Sequence, residues 1–279
     1  GMRPGASHVR VQCRNADSGP RQRGDEMERR YEHLRPADII RLREAFPLAY
    51  VPLGTLEWHG PHNPVGLDGL KAHALCLRAA EGGGGIVFPV VWYGEHRESH
   101  LMEINASVGK EIVTRMGLDP DDFKPGYTQS GSILAQAQDY TALLWKICCQ
   151  VKSLGFKGLI FLNGHYPLTH YGRFVGHLAA RHLGLAHWAG HEGQILEEAG
   201  EPGHGDHAGK WETSLLMALL PDEVNLQALS DAGEFIGCGR DALESTAEEG
   251  EYWARRIVAA LIAKGRDLLP EFAGGSTSV

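Results

Sequence analysis

Gly158-Leu159-Ile160-Phe161-Leu162-Asn163-Gly164-His165 is a run of buried-strand residues that stops abruptly in Asn-Gly-His. An apolar run without polar alternation belongs to a strand covered on both faces, as in a parallel sheet packed between helices. The flanking sequence agrees. Upstream, Ile133 to Leu154 has the spacing of a long amphipathic helix, and Gly155 ends it just past the last turn. Downstream come a helix from about His170 to His182 and a short strand near Leu185 to Trp188. Further out, Leu48 to Leu53 reads as a strand and Leu70 to Ala80 as a helix stopped at Gly82-Gly83-Gly84-Gly85. Ile86 to Trp92 reads as another buried strand, and Ser245 with Glu248 as a capping box for a last helix, about Thr246 to Lys264. This alternation predicts an α/β fold, a three-layer α/β/α single domain with a mostly parallel sheet.

Ligands of open α/β sheets gather beyond the carboxyl ends of the strands, and the chemistry-bearing residues of this chain lie there. After the first strand comes Glu57-Trp58-His59-Gly60-Pro61-His62-Asn63-Pro64-Val65-Gly66-Leu67-Asp68, two carboxylates and two imidazoles within a dozen residues. In extended chain, Glu57 and His59 point the same way, and the Pro and Gly residues curl the segment so that Asp68 returns to them. Carboxylate with imidazole suits zinc, manganese or iron(II), and a cluster without Cys is unlike a closed structural zinc site. His165 ends the central strand where a third imidazole would join the cluster. A third segment, His207-Ala208-Gly209-Lys210-Trp211-Glu212-Thr213-Ser214, runs into the apolar stretch Leu215 to Leu220, so Glu212 falls in or near a first helical turn, where a carboxylate is favoured. His62, between two prolines, is read as orienting the loop or hydrogen-bonding Asp68, and Tyr166 as lining the site or packing under it. His204 and His96 are read as polar surface or loop histidines, and His170, His177 and His182 as a solvated helix face.

These three motifs, Glu57-x-His59-Gly60-x-His62 through to Asp68, Asn163-Gly164-His165, and His207-Ala208-Gly209 with Glu212-Thr213-Ser214, resemble the creatininase (creatinine amidohydrolase) family in that order, from about Tyr31 to Leu269. The resemblance implies an amidohydrolase with two divalent metal ions (Zn, Mn or Fe) that activate a water. It gives Glu57 and His59 one ion each, makes Asp68 the bridge and His165 a further ligand, and places His207 over the substrate as the catalytic residue. Glu212 resembles a ligand or a close neighbour of one. Two departures bear on this. Creatininases read Asn-Gly-His-Tyr-Glu-Asn at the second motif, with a metal-binding Glu, where this chain has Pro167; Glu212 is the candidate to replace it. They also carry a substrate-packing Trp four residues before the catalytic His, where this chain has Gly203.

The expected reaction is therefore hydrolysis of a small non-peptide amide, cyclic or a formamide. A maturation peptidase of the same family and a scaffold homologue without catalysis are the alternatives. Net charge −8 and pI near 6.0 disfavour nucleic acid as a partner, and no apolar run approaches a membrane span. Five cysteines, an odd number without a Cys-x-x-Cys pair, suit a reducing, cytoplasmic setting. The family resemblance implies a homo-oligomer, a hexamer. Residues 1–28 read as a flexible leader, with Met27 an alternative start, ahead of a metallohydrolase domain over 29–279. Residues 103–130 read as an insertion loop with a short helix, serving as lid, subunit arm or idle insertion.

Overall fold

The structure is a computed structural model that describes residues 27–93, 109–117 and 133–272. Strands β1 (Leu48–Leu53), β2 (Ile86–Val87), β3 (Gly158–Asn163) and β4 (Ala186–Gly190) form one parallel sheet in the order β2-β1-β3-β4. The helices among the described residues are, in chain order, α1 (Pro36–Ala45), α2 (Leu67–Gly83), α3 (Gly109–Arg115), α4 (Ile133–Ser153), α5 (Thr169–Leu183), α6 (Glu192–Glu198), α7 (Lys210–Leu219), α8 (Leu226–Ala232) and α9 (Ala247–Leu268).

Alternation along the strands divides the interior into two cores. Leu48, Tyr50, Val87, Ile160, Leu162 and Trp188 face α2, α6, α7 and α9. Their neighbours Ala49, Val51, Leu53, Ile86, Leu159, Phe161 and Ala189 face α1, α4 and α5. The result is the expected three-layer α/β/α arrangement. Because both sides of each strand are buried, polar alternation is absent from the sequence of β1 and β3.

The register brings the functional ends level. Leu48 pairs with Gly158 and Leu53 with Asn163, so the residues after β1 and β3 emerge side by side. The Gly164 N–H donates to the Leu53 carbonyl at 2.8 Å and ties them together. A methyl group at Gly164 would overlap the Asp68 carbonyl, so the bare glycine lets α2 begin directly against the end of β3.

Several local expectations need correction. The strand expected over Ile86 to Trp92 ends at Val87, because Pro89 lacks an N–H for the ladder; contact with β1 resumes at Val91, whose N–H reaches the Pro52 carbonyl. α2 continues through Gly82 and Gly83 and stops at Gly84, where φ is 91°. The cap of α9 is Thr246, which accepts from the Glu249 N–H at 3.2 Å, one residue beyond the Ser245–Glu248 pairing; Ser245 instead faces the Lys210 carbonyl. The leader through residue 26 and His96 lie outside the described residues. Of the insertion, α3 is described: it buries Ile112 and Val113, and Arg115 pairs with Glu234. Among the described residues no helix is long and apolar enough to cross a membrane.

Candidate metal centre

Each segment singled out in the sequence ends at the carboxyl edge of the sheet. The loop after β1 is closed by the Glu57 N–H on the Val65 carbonyl (3.0 Å) and presents Glu57 and His59. Asp68 sits in the first turn of α2, His165 follows β3, and Glu212 sits in the first turn of α7. All five are buried. His59 Nε2 lies 3.3 Å from Asp68 Oδ1, 3.8 Å from Glu212 Oε2 and 3.9 Å from Glu57 Oε1. His165 Nδ1 lies 2.9 Å from Glu57 Oε1 and 3.3 Å from Asp68 Oδ2. The ring of His207 stacks on His59 with centroids 4.5 Å apart, and its Nδ1 is 3.8 Å from Glu57 Oε1. With 14% of its side chain exposed, His207 is the member of the cluster that an incoming molecule can touch.

These atoms form three groups able to hold an ion: Glu57 with Asp68 and His165, His59 with Asp68 and Glu212, and Glu57 with His59 and His207. Asp68 joins the first two through different oxygens, Oδ2 beside His165 and Oδ1 beside His59.

The donor set fits divalent metal on two counts. Glu57 Oε1, His59 Nε2 and Asp68 Oδ2 are buried and have no hydrogen-bond partner outside the cluster itself. Several donor atoms thus converge on one another, an arrangement costly in a protein interior unless something else satisfies them. Second, the imidazoles are turned the right way. A backbone carbonyl can only accept, so the contacts of His59 Nδ1 with the Glu57 carbonyl (3.2 Å) and of His207 Nε2 with the Trp58 carbonyl (2.9 Å) require N–H at those outer nitrogens. The lone pairs of His59 Nε2 and His207 Nδ1 then face the cluster, the orientation that a ligating histidine needs.

Electrostatics point the same way. Burial works against a charge on His59, but Asp68, then Glu212 and Glu57, outweigh it and hold the pKa up to about 9. Burial opposes charge on His165 likewise, and Asp68 and Glu57 raise it to about 10. Asp68 is held well below the carboxylate range by the two imidazoles, against its burial. His207 moves the other way, lowered by burial and by its neighbour His59. At pH 7 the metal-free cluster therefore carries protons on His59 and His165, and an entering ion must displace them. Both folded-state values are raised, so metal affinity is expected to climb with pH and to level off above 9 to 10. Two displaced protons give a limiting slope of about 100-fold per pH unit below that range. Titration calorimetry in buffers of different ionisation heat measures the release; no proton release at pH 7 would contradict the geometry.

The other expected residues sit differently. His62 does not reach Asp68. Its Nε2 is flanked by Thr213 Oγ1 (3.2 Å) and the Asn63 amide (3.0 Å), and burial, then His59, lower its pKa to about 4; it fastens the loop to α7 as a neutral ring. Tyr166 stacks on His191 (4.1 Å) and donates to Glu192 Oε1 at 3.4 Å. His204 is an exposed loop histidine, as expected, and its ring lies against Trp211 and Trp253, 4.8 and 4.5 Å away. His170, His177 and His182 are exposed on α5, the solvated face expected, with His177 edge-on to His187 and His182 edge-on to Trp145.

Three residues, Lys71, Glu192 and Asp206, carry no mark in the sequence motifs. Lys71 Nζ is buried between Glu192 Oε1 (2.5 Å) and Glu212 Oε1 (2.6 Å). Asp206 accepts from the Trp211 N–H (2.7 Å) and the Glu212 N–H (3.2 Å), so it caps α7 and fixes where Glu212 begins. Its own pKa is raised to about 6 by burial, then by Glu212. Between His207 and α7, Ala208 holds φ at +49°, unlike every other non-glycine residue described, and its N–H donates to Glu212 Oε2 at 2.9 Å.

Comparison with known proteins decides the family. The model for creatininase, described as creatinine amidohydrolase, matches residues 32–119 and 124–264. The chain belongs to the creatininase family. It is 27% identical over 197 residues to the creatinine amidohydrolase of Pseudomonas putida, covering 65% of this chain and 67% of that one. It is 26% identical over 205 residues to the mycofactocin precursor peptide peptidase of Mycobacterium tuberculosis (strain CDC 1551 / Oshkosh), covering 70% and 67%. Among solved structures, a creatininase variant of zinc–zinc type superposes with a TM-score of 0.62 at 21% identity, over 88% of this chain and 99% of that one, a likeness of fold.

Proposed function

We propose that this creatininase-family protein is a metal-dependent amidohydrolase that cleaves a carbon–nitrogen bond in a small non-peptide amide, cyclic or a formamide. The observation that carries the reading is the sharing of Asp68 between two ligand groups that the fold assembles from distant parts of the chain. Glu57 and His165 would hold one divalent ion with Asp68, and His59 and Glu212 a second, drawn from Zn, Mn or Fe. Bound there, such ions supply Lewis acidity and an activated water.

The chain's own residues do the rest. The loop after β1 and the first turns of α2 and α7 hold the carboxylates from separate elements, so the donors are positioned before substrate arrives. The inward Nδ1 of His207 takes up and returns a proton at the leaving nitrogen, while the Trp58 carbonyl keeps the ring from turning. Its lowered pKa leaves it unprotonated at neutral pH, ready to accept.

Creatinine itself is expected to be a poor substrate. Gly203 has no side chain, so this chain has no indole at that position to stack on a flat ring. Such stacking is worth about 0.5–1.5 kcal/mol, up to ~10-fold in rate or binding. The test is a hydrolysis screen of the metal-loaded protein over creatinine, hydantoins, cyclic ureas, lactams, formamides and short peptides, run beside His207→Ala. The variant is expected to keep its metal and lose about 10²–10⁴-fold in turnover. Full activity in His207→Ala, or creatinine as the best substrate, would refute the corresponding part. Preference for a peptide would favour the maturation peptidase, which the comparable likeness to the mycofactocin peptidase keeps in view.

A further inference from the structure

We propose that Lys71 is a positioning residue for the metal centre: anchored by Glu192, its buried ammonium clamps one oxygen of Glu212, so that this carboxylate meets a divalent ion through its other oxygen alone. The inference rests on the metal reading above and concerns residues that neither the motifs nor the family pattern single out.

The placement begins with helix geometry. Lys71 follows Asp68 by three residues on α2, so the two side chains lie on one face and enter the same interior. The side chain of Lys71 is 0% exposed. A buried ammonium persists only where anions answer it, and two do: Glu192 Oε1 at 2.5 Å and Glu212 Oε1 at 2.6 Å. The ring of Tyr166 lies 5.5 Å away on a third side. Glu192 is itself well fixed. It opens α6 directly after β4, behind a cap in which the His191 N–H donates to Gln194 Oε1 at 3.2 Å.

The consequence falls on Glu212. Oε1 is taken by Lys71, while Oε2 accepts the Ala208 N–H at 2.9 Å and faces His59 Nε2 at 3.8 Å. One carboxylate thus has two oxygens with separate tasks, and only Oε2 belongs to the ligand group with His59 and Asp68. Without the clamp, Oε1 is free to swing in and chelate the same ion, raising its coordination number and removing a position open to water or substrate. A buried ion triad that merely balanced charge would have no influence on that number.

Cobalt(II) makes the difference visible, because its d–d absorption per ion weakens as four-coordination gives way to five or six. The full chain is loaded with Co²⁺, and bound ions per chain and the visible spectrum are recorded. Lys71→Met is expected to keep the number of ions and lose visible absorption per bound cobalt; Lys71→Arg, which keeps a cation for both carboxylates, is expected to retain the wild-type spectrum. Should Lys71→Met fail to fold, Lys71→Met/Glu192→Gln removes the ammonium and one of its carboxylates together and leaves no added net charge. It is expected to show the same loss. Wild-type spectra in both methionine variants at equal cobalt content would overturn the inference alone. A wild-type chain that binds no cobalt would overturn the metal reading, and this inference with it.

Discussion

Asp68→Ala is expected to empty the centre and stop turnover in a single step. Asp68 serves two of the three ligand groups, one oxygen beside His165 and the other beside His59, and neither keeps three members without it; the group left intact needs His207, the proposed proton carrier. The loss should be ~10³-fold or more in kcat/KM, the scale seen where one residue serves a whole catalytic unit. Bound metal, measured by elemental analysis after dialysis, should fall with it. Two ions per chain and wild-type turnover in this variant would end the dinuclear reading. The helical start of α2 should survive, because Pro64 and Gly66 supply backbone acceptors for its first N–H groups.

Gly164→Ala is expected to do comparable damage without removing a single polar atom. The new methyl would overlap the Asp68 carbonyl, and the partner is backbone at the start of a helix, which cannot rotate aside. β3 and α2 must separate, taking His165 from Asp68. Overpacking of this kind costs about 1–3 kcal/mol, which for a chain of this size lowers the melting temperature by ~2–12 °C. Metal content should drop as well, because the donors part. A variant that melts with the wild type and keeps its metal would mean that the contact between β3 and α2 yields more easily than the geometry implies.

How much was legible beforehand follows from the kind of signal each feature leaves. β1 and β3 announced themselves because strands buried on both faces read as unbroken apolar runs. The rule that ligands collect past the carboxyl ends of parallel strands then brings Glu57, His59 and His165 to one place from the sequence alone. The same rule reaches Glu192, the second residue after β4, but a lone glutamate after a short strand carries no spacing to mark it. Lys71 had a clearer mark: a charged residue on the buried face of a helix, between Leu67, Ala72 and Leu75, one turn from Asp68. Asp206 is hidden because it lies ahead of the cap position Gly209, outside the usual spacing of a capping residue, although its carboxylate reaches the Trp211 and Glu212 N–H groups. The bond of His62 with Thr213 spans 151 positions and is invisible to any local pattern. Nor does the sequence show which of Ser245 and Thr246 caps α9, since each is followed three residues later by a glutamate.

The level register of β1 and β3 gives the molecule a working end and an inert one. Strands climb about 3.3 Å per residue, so six residues of β1 put roughly 20 Å between Glu57 and the opposite rim. That rim is built by Pro47, Lys157 and Leu185, where backbone bonds from Lys157 to Pro47 and from Ala186 to Lys157 stitch the strand beginnings together. None of the ligand candidates originates there. Mutational tolerance should therefore split across the sheet. Changes in the turns at Gly155 and Gly184 would be felt as folding alone, while changes past Leu53, Asn163 and Gly190 would be felt as chemistry. Dyes, affinity handles and immobilisation linkers belong on the first rim, and libraries that seek new substrates belong on the second.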